Sequence, residues 1–137
     1  DTIKMGAKMD AKKSQAAFSA LAQPTRLKAF RKLVAAHPKG LPAGDIAAHC
    51  KVPHNTMSTH LASLMRGGLI AVTRDGRSMN YRANLDGFRG LIDFMLRDCC
   101  GGRPEICQPV VEDFTASCCA PAGARTLVSA KLKKLSA

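Results

Sequence analysis

Three of the six cysteines in this chain, Cys99, Cys100 and Cys107, fall within a stretch of nine residues. Two of them are adjacent, and Gly101-Gly102 followed by Pro104 provides a turn that can bring the third back toward them. A structural cysteine is usually a single small apolar side chain in a core, and adjacent thiols bridge each other only through a strained ring. Clustered thiols in a cytosolic chain therefore indicate metal binding or redox chemistry.

The number of thiols indicates which ion this cluster would bind. Thiolates select soft ions, and zinc in a structural site needs four ligands in a tetrahedron. Trivalent arsenic and antimony keep a lone pair and are saturated by three thiolates. The trio therefore predicts As(III), as arsenite or methylarsenite, or Sb(III) as the ligand, with zinc and cadmium less favoured. The histidines, His37, His49, His54 and His60, lie far from it in sequence.

The same cysteines allow other interpretations. Cys99 and Cys100 could be the buried end of a helix, or the thiols could form a disulfide as a redox switch. A second adjacent pair, Cys118-Cys119, could complete a four-sulfur zinc or cadmium site, bind a second ion, or have no ligand, and we favour an accessory role or none. Cys50 stands alone in a turn between two helices and is predicted to be structural.

Length, charge and composition limit the classes of protein to which the chain can belong. The chain has 137 residues, enough for one domain with its own core, and a net charge of +11, which attracts polyanions such as nucleic acid. Only 4% of residues are aromatic, which favours a core of aliphatic side chains between packed helices. No apolar run approaches the ~18 residues of a membrane span, and no signal peptide is visible. We therefore expect a cytoplasmic protein without a membrane partner.

The first half of the chain shows helical periodicity. Residues 1–13 form a basic, unpatterned arm, and a short helix near Ala16–Leu21 precedes a second that begins at Pro24. Two further helices are predicted, one from Leu41 to His49 and one from about Pro53 to Arg66. These last two, with a brief turn between them, have the pattern of a helix-turn-helix. The inward-facing residues of the helices after Pro24 are predicted to be Leu27, Phe30, Leu33, Val34, Ile46, Ala47, Met57, Leu61, Leu64 and Met65.

A β-hairpin and a further helix follow. Asp75-Gly76 separates two β-prone runs and predicts a hairpin with Arg74 and Arg77 at its tip. A helix-turn-helix followed by a basic hairpin predicts a winged helix: mainly α with a small β-hairpin wing. The apolar stripe of the next helix, from Leu85 to Cys99, is wide enough to pack partly on a second subunit. We assign residues 14–107 to the winged domain and 108–137 to a partly disordered extension.

Several motifs together resemble the ArsR-type arsenical-resistance repressors. They are Pro24-Thr25-Arg26-Leu27, then Thr56-Met57-Ser58-Thr59-His60-Leu61 on the second helix of the helix-turn-helix, and Asp75-Gly76-Arg77 in the wing. The resemblance covers roughly residues 16 to 107. It implies a homodimeric, non-enzymatic repressor that occupies double-stranded operator DNA until a metal or metalloid ion releases it.

The resemblance also implies residue roles. The residues at Asn55, Ser58 and Thr59 would face the major groove, and those at Arg74 and Arg77 would touch the DNA near the wing. We add His60 and the flanking charge of Lys51 to this predicted DNA-contact set. The thiol pair of the best-known arsenic sensors is absent from residues 42–47, and the last helix has no histidine for a zinc site. Cys99, Cys100 and Cys107 instead look like the C-terminal three-cysteine site of another arsenic-sensing subgroup.

Three competing functions follow from the same residues. A repressor that senses thiol oxidation would release DNA with peroxide and not with arsenite. A soft-metal carrier or detoxification protein would use the thiols without needing a helix-turn-helix and wing. A thiol oxidoreductase has no support, because the sequence contains neither Cys-x-x-Cys nor a nucleotide-binding glycine loop, and no small organic substrate is expected.

Overall fold

The computed structural model of the chain describes residues 9–97, 101 and 103–118, with side chains described as far as Asp113. It divides into two units, Asp1–Phe94 and Met95–Ala137. The helices in the described residues are α1 (Ala11–Leu21), α2 (Pro24–Ala35), α3 (Ala43–Cys50), α4 (His54–Arg66), α5 (Leu85–Arg97) and α6 (Pro104–Cys118). The strands are β1 (Leu41–Pro42), β2 (Ile70–Asp75) and β3 (Ser78–Ala83).

The first two helices begin at side-chain caps. The Asp10 carboxylate accepts a 2.8 Å hydrogen bond from the Lys13 backbone N–H, and the Gln23 side chain accepts one of 2.7 Å from the Arg26 N–H. Pro24 is the first residue of α2, as predicted. Helical structure begins at Ala11, before the predicted end of the arm at residue 13, because Asp10 caps α1 and Met9 is buried in the core.

The helix-turn-helix consists of α3 and α4. The intervening turn places Lys51 in the left-handed backbone region, at φ 56° and ψ 44°. The predicted helix from Leu41 was two residues too long at its start. Leu41 and Pro42 form β1 instead and lie opposite Tyr81 and Asn80 of β3. Pro42, at φ −72° and ψ 156°, is extended and is the last residue of β1, directly before α3 begins at Ala43.

The wing is an antiparallel hairpin. Its strands run in register from Ile70 opposite Ala83 to Asp75 opposite Ser78, so the two-residue turn is Gly76-Arg77 rather than the predicted Asp75-Gly76. Gly76 has φ +61°, a conformation that favours glycine in tight hairpin turns. With β1 added, the sheet has the order β1-β3-β2. The predicted fold class, mainly helical with a small β-hairpin wing, is confirmed.

The core of the first unit is aliphatic, as composition predicted. Its fully buried side chains include Leu33, Ile46, Met57, Leu61, Leu64 and Leu69. Three residues predicted to face inward, Leu27, Val34 and Met65, are instead exposed. Helical periodicity marks an apolar stripe, and this core covers only the centre of each stripe.

The start of α5 is held close to the end of α4. Asn84 donates from Nδ2 to the Gly68 carbonyl (3.0 Å) and accepts from the Gly87 N–H at Oδ1 (3.2 Å), so it caps α5. Gly87 lies so near the Gly68 carbonyl that a Cβ atom there would collide with it. Of the predicted stripe on α5, only Leu91 is buried, whereas Ile92 is 42% exposed.

The second unit contains α6, which crosses the predicted boundary at residue 107. Its first turn is bounded by Pro104, which suits the first position of a helix because no N–H is lost there. Within the described residues, no helix combines the length and apolar character needed to cross a membrane.

Candidate nucleic-acid interface

The two faces of α4 differ in chemistry. Met57, Leu61 and Leu64 are buried in the core, and the opposite face exposes Asn55, Ser58 and Thr59. The structure therefore brings these three predicted DNA-contact residues together on one solvent-facing surface. A single exposed helix face that carries hydroxyl and amide groups suits the reading of base edges in the major groove.

Local hydrogen bonds orient these side chains. The Ser58 hydroxyl donates to the His54 carbonyl (3.1 Å), and the Thr59 hydroxyl donates to the Asn55 carbonyl (3.4 Å). The Asn55 Oδ1 atom accepts from the Thr56 N–H at 2.9 Å. Each hydroxyl thus keeps its lone pairs for an external donor, and the Asn55 amide keeps its two N–H donors.

The beginning of α4 is itself polar. Its N-cap is Pro53, whose side chain makes no capping hydrogen bond. Since the Thr56 N–H is engaged by Asn55, the His54 and Asn55 N–H groups are the ones left for an external acceptor, at the positive end of the helix dipole, which is favourable next to a phosphate. Sequence reasoning missed His54, which is exposed in this first turn; its position one turn before Ser58 was the available signal.

The predicted cationic residues flank α4 in sequence. Lys51 is exposed in the turn before it, and Arg74 and Arg77 are exposed at the tip of the wing, where the Arg74 Nε atom donates to the Gly76 carbonyl (3.3 Å). Between Pro24 and Ala83 the sequence contains only two acidic residues, Asp45 and Asp75. This region therefore has a positive potential, which is the electrostatic requirement for a DNA-binding surface.

His60 is half-buried on α4, two residues beyond the exposed Ser58. Its role in DNA contact stays a prediction.

Only one member of the predicted three-cysteine site lies within the described residues. Cys107 is buried at 9% exposure, and its Sγ atom donates to the Leu96 carbonyl at 2.7 Å. That carbonyl is in the last turn of α5, where backbone acceptors have no partner in the helix. Cys99, Cys100 and Cys119 lie outside the described residues, as does the side chain of Cys118. In the described part of the chain, no three His, Cys, Asp or Glu side chains group as metal ligands.

Cys50 has the environment of a structural thiol. It packs against the core, and its Sγ atom is 4.0 Å from the Thr25 carbonyl. Burial raises the pKa of the Cys50 thiol, and the positive charge of Lys28 opposes this only in part. A thiol that resists ionisation is a poor ligand and a poor nucleophile. These contacts agree with the predicted structural role.

Comparison with known proteins supports the fold at the level of sequence. A family described as a helix-turn-helix domain matches residues 21–73, from the end of α1 into β2. This chain contains a helix-turn-helix domain. A helix-turn-helix is a binding element rather than a catalytic one, which supports the expectation that the chain is not an enzyme. No curated protein is similar enough in sequence to match the chain.

Solved structures are similar to this helix-turn-helix protein over a larger share of the chain than the family match. A possible transcriptional regulator for arsenical resistance is 27% identical with a TM-score of 0.50, over 56% of this chain and 77% of that one. An ArsR-like transcriptional regulator from Rhodococcus sp. RHA1 is 20% identical with a TM-score of 0.57, over 76% of this chain and 92% of that one.

A third structure is a homodimeric winged helix-turn-helix DNA-binding domain from Mycobacterium bovis, a possible ArsR-family regulator. It is 24% identical with a TM-score of 0.50, over 64% of this chain and 80% of that one. The chain therefore has the winged helix-turn-helix fold of ArsR-family transcriptional regulators.

Proposed function

We propose that this chain is a DNA-binding transcriptional repressor of the ArsR type that works in the cytoplasm as a homodimer. The observation that carries the proposal is the exposed face of α4 with Asn55, Ser58 and Thr59, next to a cationic turn and wing. In such a protein the second helix of the helix-turn-helix lies in the major groove, and two copies read half-sites about one helical turn apart.

The chemistry of these residues indicates which of them would read bases and which would contact phosphates. The described α4 has no Lys or Arg before Arg66, so its polar face contributes base reading rather than charge. Lys51, Arg74 and Arg77 supply charge for the phosphate backbone, which fixes orientation and most of the salt-sensitive affinity. Sequence selectivity is therefore expected from Asn55, Ser58 and Thr59, and general affinity from the three cations.

The proposed inducer is trivalent arsenic, as arsenite or methylarsenite, or trivalent antimony, held by Cys99, Cys100 and Cys107. Two points support it. Three thiols fit a pyramidal, thiophilic ion better than they fit zinc. In addition, Cys107 is already anchored on the Leu96 carbonyl, at the α5 end nearest Cys99 and Cys100 in sequence. A methylated arsenical needs only two thiolates and would leave Cys107 unused.

Release from DNA would then be a negative linkage between the thiols and the helix-turn-helix. Ligation takes the Cys107 thiol away from the Leu96 carbonyl as a thiolate, so the contact between the end of α5 and the start of α6 changes. A coupling of ~3 kcal/mol between the ion and the operator weakens DNA binding roughly 150-fold, which suffices to induce a gene.

The test is a titration of the protein–operator complex with arsenite, using an operator selected from random DNA. We expect arsenite to release the wild type and the Cys50→Ala control, and to leave the Cys99→Ser/Cys100→Ser variant bound. Release of that variant like the wild type would contradict the metalloid site.

The same assay separates the competing functions. Release by peroxide and not by arsenite would indicate a thiol-oxidation sensor. Arsenite binding without selective, salt-sensitive DNA binding would indicate a carrier or detoxification protein. Release of DNA by Cys107→Ser but not by the double variant would mean that two thiolates suffice, as methylarsenite requires. Retention of DNA by both variants would mean that three thiolates are needed, as inorganic arsenite or antimonite requires.

A further inference from the structure

A groove between α2 and α3 carries positive charge that the proposed DNA-contact set does not use. It has an open volume of about 640 Å³ and lies between the exposed stripe of α2 and His49 near the end of α3. The residues that line it are Pro24, Leu27, Lys28, Arg31, Lys32, Ala35 and His49. Among these described residues none is acidic, and three carry permanent positive charge.

The cations of the groove have no acidic partners among the described residues. In the described part of the chain, Lys28, Arg31 and Lys32 form no salt bridge. Lys28 and Lys32 are four residues apart on α2, an arrangement of like charges that destabilises a helix. An anion bound between the two ammonium groups would offset their repulsion. The unliganded protein therefore has an unfavourable interaction that anion binding would remove.

The pKa of the His49 imidazole is affected by the cations of the groove. Although the residue is exposed, desolvation and then the positive charges of Lys32 and Lys28 lower the pKa of its imidazole. On its own helix, Asp45 stands one turn earlier, and on α2 the facing groups are Lys28, Arg31 and Lys32. The charged groups that lower this pKa are both cations, so the surroundings of the ring suit an anion.

We propose that the groove between α2 and α3 is a phosphate-binding surface formed by Lys28, Arg31, Lys32 and His49. Three donor-rich cations and an imidazole converge on a concave surface, which suits the several oxygens of a phosphate group. The phosphate can come from the operator backbone, outside the major groove of the DNA that α4 reads, or from a free phosphate-bearing molecule. The first source rests on the proposed function, and the second does not.

The first arm of the test measures the salt dependence of operator binding. Removing one cation from a phosphate lowers the slope of log K against log [salt] by about 0.9. We expect the Lys28→Gln/Lys32→Gln variant to reduce the slope by about one to two units per subunit, or about two to four units for the dimer, while keeping its preference among DNA sequences. The matched control is Lys12→Gln/Lys13→Gln, which removes the same charge from exposed positions on α1 and is expected to keep the wild-type slope.

The second arm needs no DNA. Pyrophosphate is titrated into the protein while the imidazole resonances of all four histidines are followed by NMR over a range of pH. Bound anion favours the imidazolium, so the pKa of His49 is expected to rise and its resonance to move, while the resonance of His37, which lies outside both the groove and α4, stays in place. Lys28→Gln/Lys32→Gln should abolish the response.

The results of the two arms identify the source of the phosphate. A lower salt slope alone supports operator phosphates, and a His49 response alone supports a free phosphate-bearing molecule. If the two double variants have the same slope and the His49 resonance moves no more than that of His37, the proposal is overturned. A wild type that binds no DNA would contradict the proposed function, while the His49 arm still tests the groove.

Discussion

Asn55 combines two features that a base-reading residue needs. Its Oδ1 atom is engaged by the Thr56 N–H, and its amide donors remain available at an exposed position of α4. Ser58 and Thr59 are fixed in a similar way, each through a bond to the carbonyl four residues earlier. Such side chains lose little rotational freedom on binding, so their contacts favour selectivity.

We predict that Asn55→Ala weakens operator binding by about 1–3 kcal/mol and relaxes the preference at one base position. Ser58→Ala should have a smaller effect of the same kind. The measurement is the Kd for the operator and for its single-base variants. Ser19→Ala, an exposed serine on α1, is the control and should leave the Kd unchanged. An Asn55→Ala effect equal on all DNA sequences would argue against base reading.

Lys51 shows how one element boundary serves both fold and function. It ends α3 with a positive φ, a conformation that costs a non-glycine residue roughly 1–2 kcal/mol. A glycine would fit this turn better, so the sequence has a cation where the backbone favours a residue without a side chain. The proposed phosphate contact of Lys51 gives a functional reason for this choice.

At the scale of the element, Lys51→Gly should therefore raise the free energy of unfolding by up to about 1 kcal/mol, after the entropic cost of glycine is subtracted. Lys51→Ala keeps the strained φ and should not stabilise the protein. Both variants lose the ammonium group and should bind DNA equally weakly. Chemical denaturation and DNA titration measure the two effects separately, and equal stability of the two variants would contradict the strain argument.

The packing of α5 on the end of α4 gives a second prediction for an element. Because a Cβ at Gly87 would collide with the Gly68 carbonyl, Gly87→Ala should cost about 1–3 kcal/mol of stability. Gly44, also inside a helix, has nothing within 4 Å of the place where a Cβ would be. Gly44→Ala should therefore stabilise by up to about 1 kcal/mol. Thermal unfolding of both variants checks this; a tolerated Gly87→Ala would mean that α5 can move.

At the scale of the whole molecule, the proposed homodimer requires a surface for the second copy. The exposed side of α5 in the first unit offers Leu85, Phe88 and Ile92, and exposed apolar groups that are contiguous on one helix mark an interaction surface. A dimer also doubles the DNA contacts, since two α4 helices then read two half-sites.

We expect Ile92→Glu to dissociate the dimer and to shorten the protected DNA to a single half-site. Sedimentation velocity measures the first effect and footprinting the second. Met79→Glu is the matched control, because Met79 is similarly exposed, at 45% against 42% for Ile92, but lies on the wing. It should leave the sedimentation coefficient unchanged. A dimeric Ile92→Glu would place the subunit contact elsewhere.

The sequence by itself determined the order of the elements from α1 to α5, except for β1, and the chemistry of the DNA-contact set. Helical periodicity, Pro24 at the start of α2 and the Asp-Gly signal sufficed for a winged helix-turn-helix, because these patterns depend on residues close together in the chain. The resemblance to ArsR-type repressors added Asn55, Ser58 and Thr59, and the structure places all three on the exposed face of α4.

Only the tertiary structure decided features that depend on distant residues. Leu41 and Pro42 form a strand because β3 lies beside them, and Met65 is exposed because the core covers only the centre of the apolar stripe of α4. The groove between α2 and α3 joins Lys28 and Lys32 to His49, more than fifteen residues away in sequence, and no local pattern predicts that approach. Local spacing specifies helices and turns, whereas long-range packing selects which of their surfaces face a neighbour or the solvent.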